Sequence, residues 1–126
     1  MAARELGFVP GRHQIDDYGG GGFRFADMSH RGSILALPSG IRAITLEGAG
    51  PLDEAALALI LAEERGALDL LIVGTGATLR PLAAAPRARL KAAGIGCETM
   101  ATGAAVRTYT IVLDENRRVG ALLIAV

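Results

Sequence analysis

The sequence predicts one α/β domain built on a mixed β-sheet with helices on both faces, and three observations carry that expectation. Leu70-Leu71-Ile72-Val73 is an aliphatic run without polar alternation, the pattern of a strand covered on both faces. The first third of the chain shows period-two spacing broken by glycine and proline turns. Beyond Pro51, helical and strand-like segments alternate, the order from which layered α/β folds are built. With 126 residues there is room for one hydrophobic core, so the expected domain spans 1–126, with its core over about 13–126.

Taken in order, a short extended piece near His13-Gln14-Ile15 leads into Asp16-Asp17-Tyr18 and then Gly19 to Gly22, where the chain can bend sharply. Phe23 to Met28 reads as one strand, with Phe23, Phe25 and Asp27 on one face and Arg24, Ala26 and Met28 on the other. Ser29 to Gly32 reads as a turn, Ser33 to Leu37 as an apolar strand, Pro38-Ser39-Gly40 as a second turn and Ile41 to Leu46 as a strand. Together these form an N-terminal β-meander.

Gly48-Ala49-Gly50-Pro51 marks the change of period. A helix over Leu52 to Arg65 opens on Asp53 and Glu54, acids that favour a helix N-terminus, and closes at Arg65-Gly66. Its apolar residues run nearly all round, so a second covering element or subunit is expected. The central strand Leu68 to Val73 follows. Pro86 to Ala93 is a short basic helix ended by Gly94, and Ile95 to Met100 is a strand. Thr102 to Asn116 mixes β-formers with helical spacing of Val106, Tyr109, Val112 and Leu113; Thr102 as N-cap decides for a helix. Val119 to Val126 is the closing strand, reached by right-handed crossovers.

Thirteen basic and thirteen acidic residues cancel, which leaves no global field to attract nucleic acid or an anionic membrane. Five aromatics without tryptophan supply little for base stacking. The single cysteine, Cys97, excludes an internal disulfide, and with only His13 and His30 beside it no Cys/His metal set is formed. Neither a metal nor another cofactor is expected. No uncharged apolar run approaches the ~20 residues of a membrane span, and Met1 to Pro10 has no signal-peptide core, so a cytoplasmic protein is expected.

The loop after the central strand is the first candidate site, because open α/β sheets bind ligands at the carboxyl ends of their strands. Gly74, Thr75 and Gly76 have amides to offer an anion, with Arg80 as charge partner. The dinucleotide pattern fails at Leu79 and no P-loop triplet follows, so the loop stands between an anion site and close strand-helix packing. Thr102, Arg107 and Tyr109 supply a second wall if the adjacent strands are parallel. Arg24 is a further candidate, as a charge beside the glycine run. No nucleophile and no acid/base pair can be named: Cys97 has no local base, and Ser33 lacks the nucleophile-elbow glycines.

Several ordered blocks carry a resemblance. Tyr18-Gly19-Gly20-Gly21-Gly22-Phe23-Arg24-Phe25, His30 to Leu35, Leu71-Ile72-Val73-Gly74-Thr75-Gly76 with Pro81-Leu82, and Glu98 to Thr102 with Ala105-Val106-Arg107-Thr108-Tyr109 are together similar to the MTH-type domain-of-unknown-function family, which includes mitochondrial complex I assembly factor 3. The resemblance covers about residues 13 to 126. It implies a three-layer fold, a central mixed sheet whose last strand runs antiparallel to the others, and a shared cleft between the Gly-Thr-Gly loop and the Arg-Thr-Tyr helix. Thr110 stands where the family tends to have asparagine. The functional expectation is a non-catalytic binding or assembly module with a protein partner or self-association. The alternative is an anion-ligand binder or small enzyme at the cleft.

Overall fold

A computed structural model describes residues 7–46 and 51–126. The chain runs through β1 (Phe8–Pro10), β2 (Asp17–Gly19), β3 (Gly22–Phe25), β4 (Met28–Arg31), β5 (Ile34–Leu37), β6 (Gly40–Ala43), α1 (Glu54–Leu61), β7 (Leu70–Gly74), α2 (Ala84–Ala92), β8 (Gly96–Met100), α3 (Thr102–Asp114) and β9 (Val119–Leu123). Six strands form a mixed sheet in the order β1-β6-β5-β9-β7-β8, and β2-β3-β4 form a separate antiparallel sheet. The glycine-rich Gly48-Ala49-Gly50 stretch lies outside the described residues.

Strand alternation sorts the aliphatic runs into two cores. Leu71 and Val73 of β7, Leu35 and Leu37 of β5 and Leu122 of β9 face α1 and α2. Ile72, Ile34, Ala36, Ala121 and Leu123 face the other way, toward Ala105, Val106 and Tyr109 of α3 and toward Phe23 and Phe25 of the small sheet. The result is three layers: α1 and α2, the six-stranded sheet, and α3 beside the small sheet.

The final strand has the expected antiparallel pairing on one side only. β9 is antiparallel to β5 and parallel to β7, which is parallel to β8. The crossovers through α2 and α3 impose this, because each returns the chain to the sheet in its starting direction. The sheet therefore changes sense between β5 and β9.

The N-terminal third is not one meander. The Ala26-Asp27 pair has positive φ at both residues, 51° and 60°, which makes a tight hairpin turn between Phe25 and Met28. Ser29 to Arg31, expected in a turn, is consequently strand β4, and β2-β3-β4 leave the main sheet while β5 and β6 stay in it. The piece His13 to Ile15 is not a strand; Ile15 is simply buried against the small-sheet core.

In α1 the acids act as predicted, the Asp53 carboxylate capping the Ala56 N–H at 2.8 Å. The helix ends at Leu61, before the expected Arg65-Gly66 cap, and Glu63 beyond it accepts from the Ser39 N–H and hydroxyl. Its apolar perimeter is explained by alanine: Ala56, Leu57 and Ile60 are buried, whereas Ala55 and Ala58 face solvent. Exposed methyl groups cost little, so a perimeter with Leu59 and Leu61 half-buried is compatible with cover by the sheet on one side. In α2, Pro86 occupies the first turn, where no backbone N–H is required.

Ile72 sits at the centre of β7 with no solvent exposure. Ile72→Ala is expected to destabilise the fold by about 3–4 kcal/mol through lost burial and a residual cavity. Ile111→Ala, on the exposed side of α3, is expected to change stability by less than about 0.5 kcal/mol. Urea denaturation followed by far-ultraviolet dichroism checks the contrast.

Candidate functional site

The two glycines after the central strand do different work. A Cβ at Gly74 would lie 3.0 Å from Thr102 Cα and 3.0 Å from the Ala105 methyl, so glycine here lets α3 approach the sheet. Gly76 takes φ +104°, a conformation side-chain-bearing residues rarely adopt, and turns the chain back toward the start of α3. Thr75, between them, is buried.

The loop's polar groups are engaged internally. The Thr75 N–H donates to Met100 O at 2.8 Å and the Gly76 N–H to Thr102 Oγ1 at 3.0 Å. The Thr75 hydroxyl lies 2.7 Å from Thr78 O and accepts the Arg80 N–H at 2.9 Å, while Arg80 Nε reaches Thr75 O at 3.4 Å. The amides of Thr75 and Gly76, expected to face an anion, therefore bind the protein itself. What the arrangement does is lock the chain from Thr75 to Arg80 into one shape, with Ala77 through Arg80 exposed.

Thr102 completes the junction. Its hydroxyl donates to Ile124 O at 2.7 Å, and its N–H donates to Gly76 O at 2.8 Å. The N-cap of α3 is Ala101, so Thr102 is the first helical residue rather than the expected cap, and its side chain ties three segments together. It has no solvent exposure.

The other predicted residues lie elsewhere. Arg107 is exposed on the second turn of α3. Tyr109, expected to line the cleft, is 1% exposed in the core beneath α3, where burial pushes its phenol up to about 12 against a partial offset from Arg12. Arg24 is on the outer face of the small sheet, donating to Ser29 Oγ at 3.0 Å. Cys97 is half-buried, and burial raises its thiol, with Arg87 opposing, which suits a structural cysteine better than a nucleophile. Among the described residues no cluster of three or more His, Cys, Asp or Glu is placed to hold a metal ion.

Arg24 belongs to a feature that sequence reasoning missed. A groove of about 530 Å³ lies on the small sheet, lined by Asp17, Tyr18, Arg24, Ser29, His30 and Arg31 and by glycines of the β2-β3 turn. The signal is Phe25-Ala26-Asp27-Met28, a two-residue hairpin inside what reads as continuous strand; it brings Arg31 onto Arg24's face.

The architecture recurs in solved structures. A Bartonella henselae protein described as an outer membrane protein superposes with TM-score 0.85 at 49% identity, over 92% of this chain and 97% of that one. A Bordetella pertussis protein described as a Mth938-like domain superposes with TM-score 0.74 at 27% identity, over 96% and 92%. An uncharacterized protein of Rhodobacter capsulatus is 41% identical over 98% of this chain and 93% of its own length. These likenesses define a Mth938-like three-layer domain. The chain belongs to the family of proteins of unknown function DUF498/DUF598, whose model matches residues 15–124.

Two outcomes test the geometry. Thr102→Val keeps the shape but strands the Gly76 N–H and Ile124 carbonyl, and a loss of about 2–4 kcal/mol is expected in chemical denaturation, against about 1 kcal/mol for Thr102→Ser, which keeps both bonds. For Tyr109, the folded-state value of about 12 exceeds the ordinary 10.0, so the unfolded chain loses its proton first as pH rises. Its contribution is fully present below pH 10 and disappears toward pH 12, a fall of about 2–3 kcal/mol in unfolding free energy that Tyr109→Phe removes.

Proposed function

We propose that the domain is a non-catalytic binding module that docks an extended segment of a protein partner along β8. The observation that carries this reading is an open sheet edge beside a rigid, exposed loop. β8 is the terminal strand of the six-stranded sheet, and among the described residues no strand pairs with its outer side. An edge strand offers backbone donors and acceptors for strand addition; here one acceptor, Cys97 O, takes a 3.4 Å bond from Arg87 Nη1, the bond an added strand displaces. The opposite edge strand, β1, ends in Pro10, which cannot donate to a neighbour.

Leu79 supports the same surface. It is 62% exposed, on the loop that the Thr75 hydroxyl holds in place where β7 ends beside β8. With its backbone pinned on both sides through Thr78 O and Arg80 N, Leu79 has little backbone freedom left to lose when a partner covers it, which favours affinity. Arg80 and Pro81 follow it on the exposed crest. Assembly work of the kind done by mitochondrial complex I assembly factor 3 is one form that such docking takes. Among the described residues no helix is long and apolar enough to cross a membrane.

The test is affinity purification with the chain as bait, followed by reconstitution of the identified partner from pure components. Leu79→Asp and the edge variant Thr99→Lys are each expected to weaken the reconstituted complex by about tenfold or more, with Ile111→Asp on the far layer as an unaffected control. Equal binding by all three variants overturns the β8 surface. A second copy of this chain as occupant would instead appear as a dimer by light scattering, broken by the same two variants.

A further inference from the structure

We infer that the groove on the outer face of the small sheet is a binding site for a small phosphate monoester, held by Arg24 and Arg31. The strand register puts these groups on one face. Asp17, Arg24 and Ser29 are directly paired across β2, β3 and β4, and Gly19, Gly22 and Arg31 form the next row two residues along. Arg24 and Arg31 are thus diagonal neighbours, about 7–8 Å apart at the backbone, close enough for both guanidinium groups to reach one anion.

The concavity comes from missing side chains. Nothing lies within 4 Å of where a Cβ would stand at Gly19, Gly20 or Gly21, and all three have positive φ. At Gly22 a Cβ would strike the His30 carbonyl, so no side chain can fill the floor there. The resulting volume of about 530 Å³ falls in the range of small-molecule sites and exceeds what a bare phosphate ion needs.

The charges are arranged for an anion. Arg24 gives one N–H to Ser29 Oγ, which steadies the guanidinium and leaves its remaining donors available, and neither Arg24 nor Arg31 is ion-paired among the described residues. Two adjacent cations repel each other until a shared anion neutralises them, and a phosphate dianion with three terminal oxygens matches two forked donors better than a carboxylate does. Among the described residues the acid lining the groove is Asp17, on β2, across Arg24 from Arg31, and its carboxylate accepts the Tyr18 N–H at 2.9 Å. Its remaining lone pairs suit a hydroxyl on the ligand body. Tyr18 belongs to the other face: it pairs with Phe23, and its phenol lies against Gly103 of α3, where a Cβ would collide with the phenol oxygen, so its ring takes no part in the anion site. His30 likewise pairs with Phe23 and its ring tilts against Phe25 in the core, so it lies on the face away from the two arginines.

The proposal does not rest on the β8 docking surface and uses none of its residues. Amide chemical shifts of the isotopically labelled protein, titrated with glycerol phosphate and ribose phosphate, test it; inorganic phosphate, ribose and succinate are comparators. Saturable shifts are expected at Gly19 to Gly22, Arg24 and Arg31, with the monoesters binding more tightly than inorganic phosphate and with ribose and succinate inert. Arg24→Gln and Arg31→Gln, both at exposed positions that leave the spectrum dispersed, are expected to raise Kd about tenfold or more, Arg31→Lys less, and Arg107→Gln not at all. No saturable shift by about 10 mM monoester overturns the proposal. So do equal affinity for inorganic phosphate or succinate, shifts centred on residues 74–80, or unchanged binding by both glutamine variants.

Discussion

Three segments of chain meet at the Thr102 hydroxyl, and the layered structure depends on that meeting. The end of β7, the start of α3 and the end of β9 are distant in sequence, yet one side chain accepts from Gly76 and donates to Ile124 while its own backbone returns a bond to Gly76. Each of these polar groups is withdrawn from water by the packing of α3 on the sheet, so each requires a partner inside the protein. A hydroxyl is suited to this place because it can donate and accept at once. Gly74 is the steric counterpart, since the absence of its Cβ is what brings Thr102 within reach.

This junction gives the Gly-Thr-Gly loop a meaning different from the one its composition suggests. Glycines after a buried strand are what a phosphate cradle needs, and they are equally what a helix needs to press against a strand end. The destination of the amides separates the two cases, and here both amides after Gly74 point into the protein. The loop's outward product is shape: a pinned crest bearing Leu79 where β7 ends beside β8, the terminal strand of the sheet. The inferred anion site lies instead at the other glycine cluster, where Gly19 to Gly21 leave space beside a sheet face bearing two arginines.

The layers were legible in the sequence because periodicity reports burial. The run Leu70 to Val73 marks a strand covered on both faces, the acids at Asp53 and Glu54 mark where a helix begins, and the spacing of Val106 and Tyr109 marks the face of α3 that meets the core; those elements appear where predicted. Strand direction and pairing were less legible, because β9 has the same aliphatic composition whichever neighbour it joins. The Ala26-Asp27 hairpin was hidden for a local reason: alanine and aspartate seldom take positive φ in succession, and the flanking Phe-x-Phe and Met-x-His keep strand periodicity through the turn. Tyr109 illustrates the limit for sites. Its spacing with Val106 places it on the apolar face of α3, and that face meets the core; the cleft role grouped it with Arg107, which the same helical period puts on the exposed side.

β9 lies between β5 and β7, so the six-stranded sheet is not continuous until residues 119–123 arrive. A ribosome delivers the chain from the N-terminus, and during synthesis the β5-β6 hairpin and the β7-α2-β8 unit emerge as two halves, each with an aliphatic edge waiting for the same late strand. The domain cannot mature segment by segment; its halves must be joined in a single step of high sequence separation, which makes folding slow relative to helical domains of this size. Until that step, both waiting edges expose the kind of strand surface that pairs with whatever neighbour comes first.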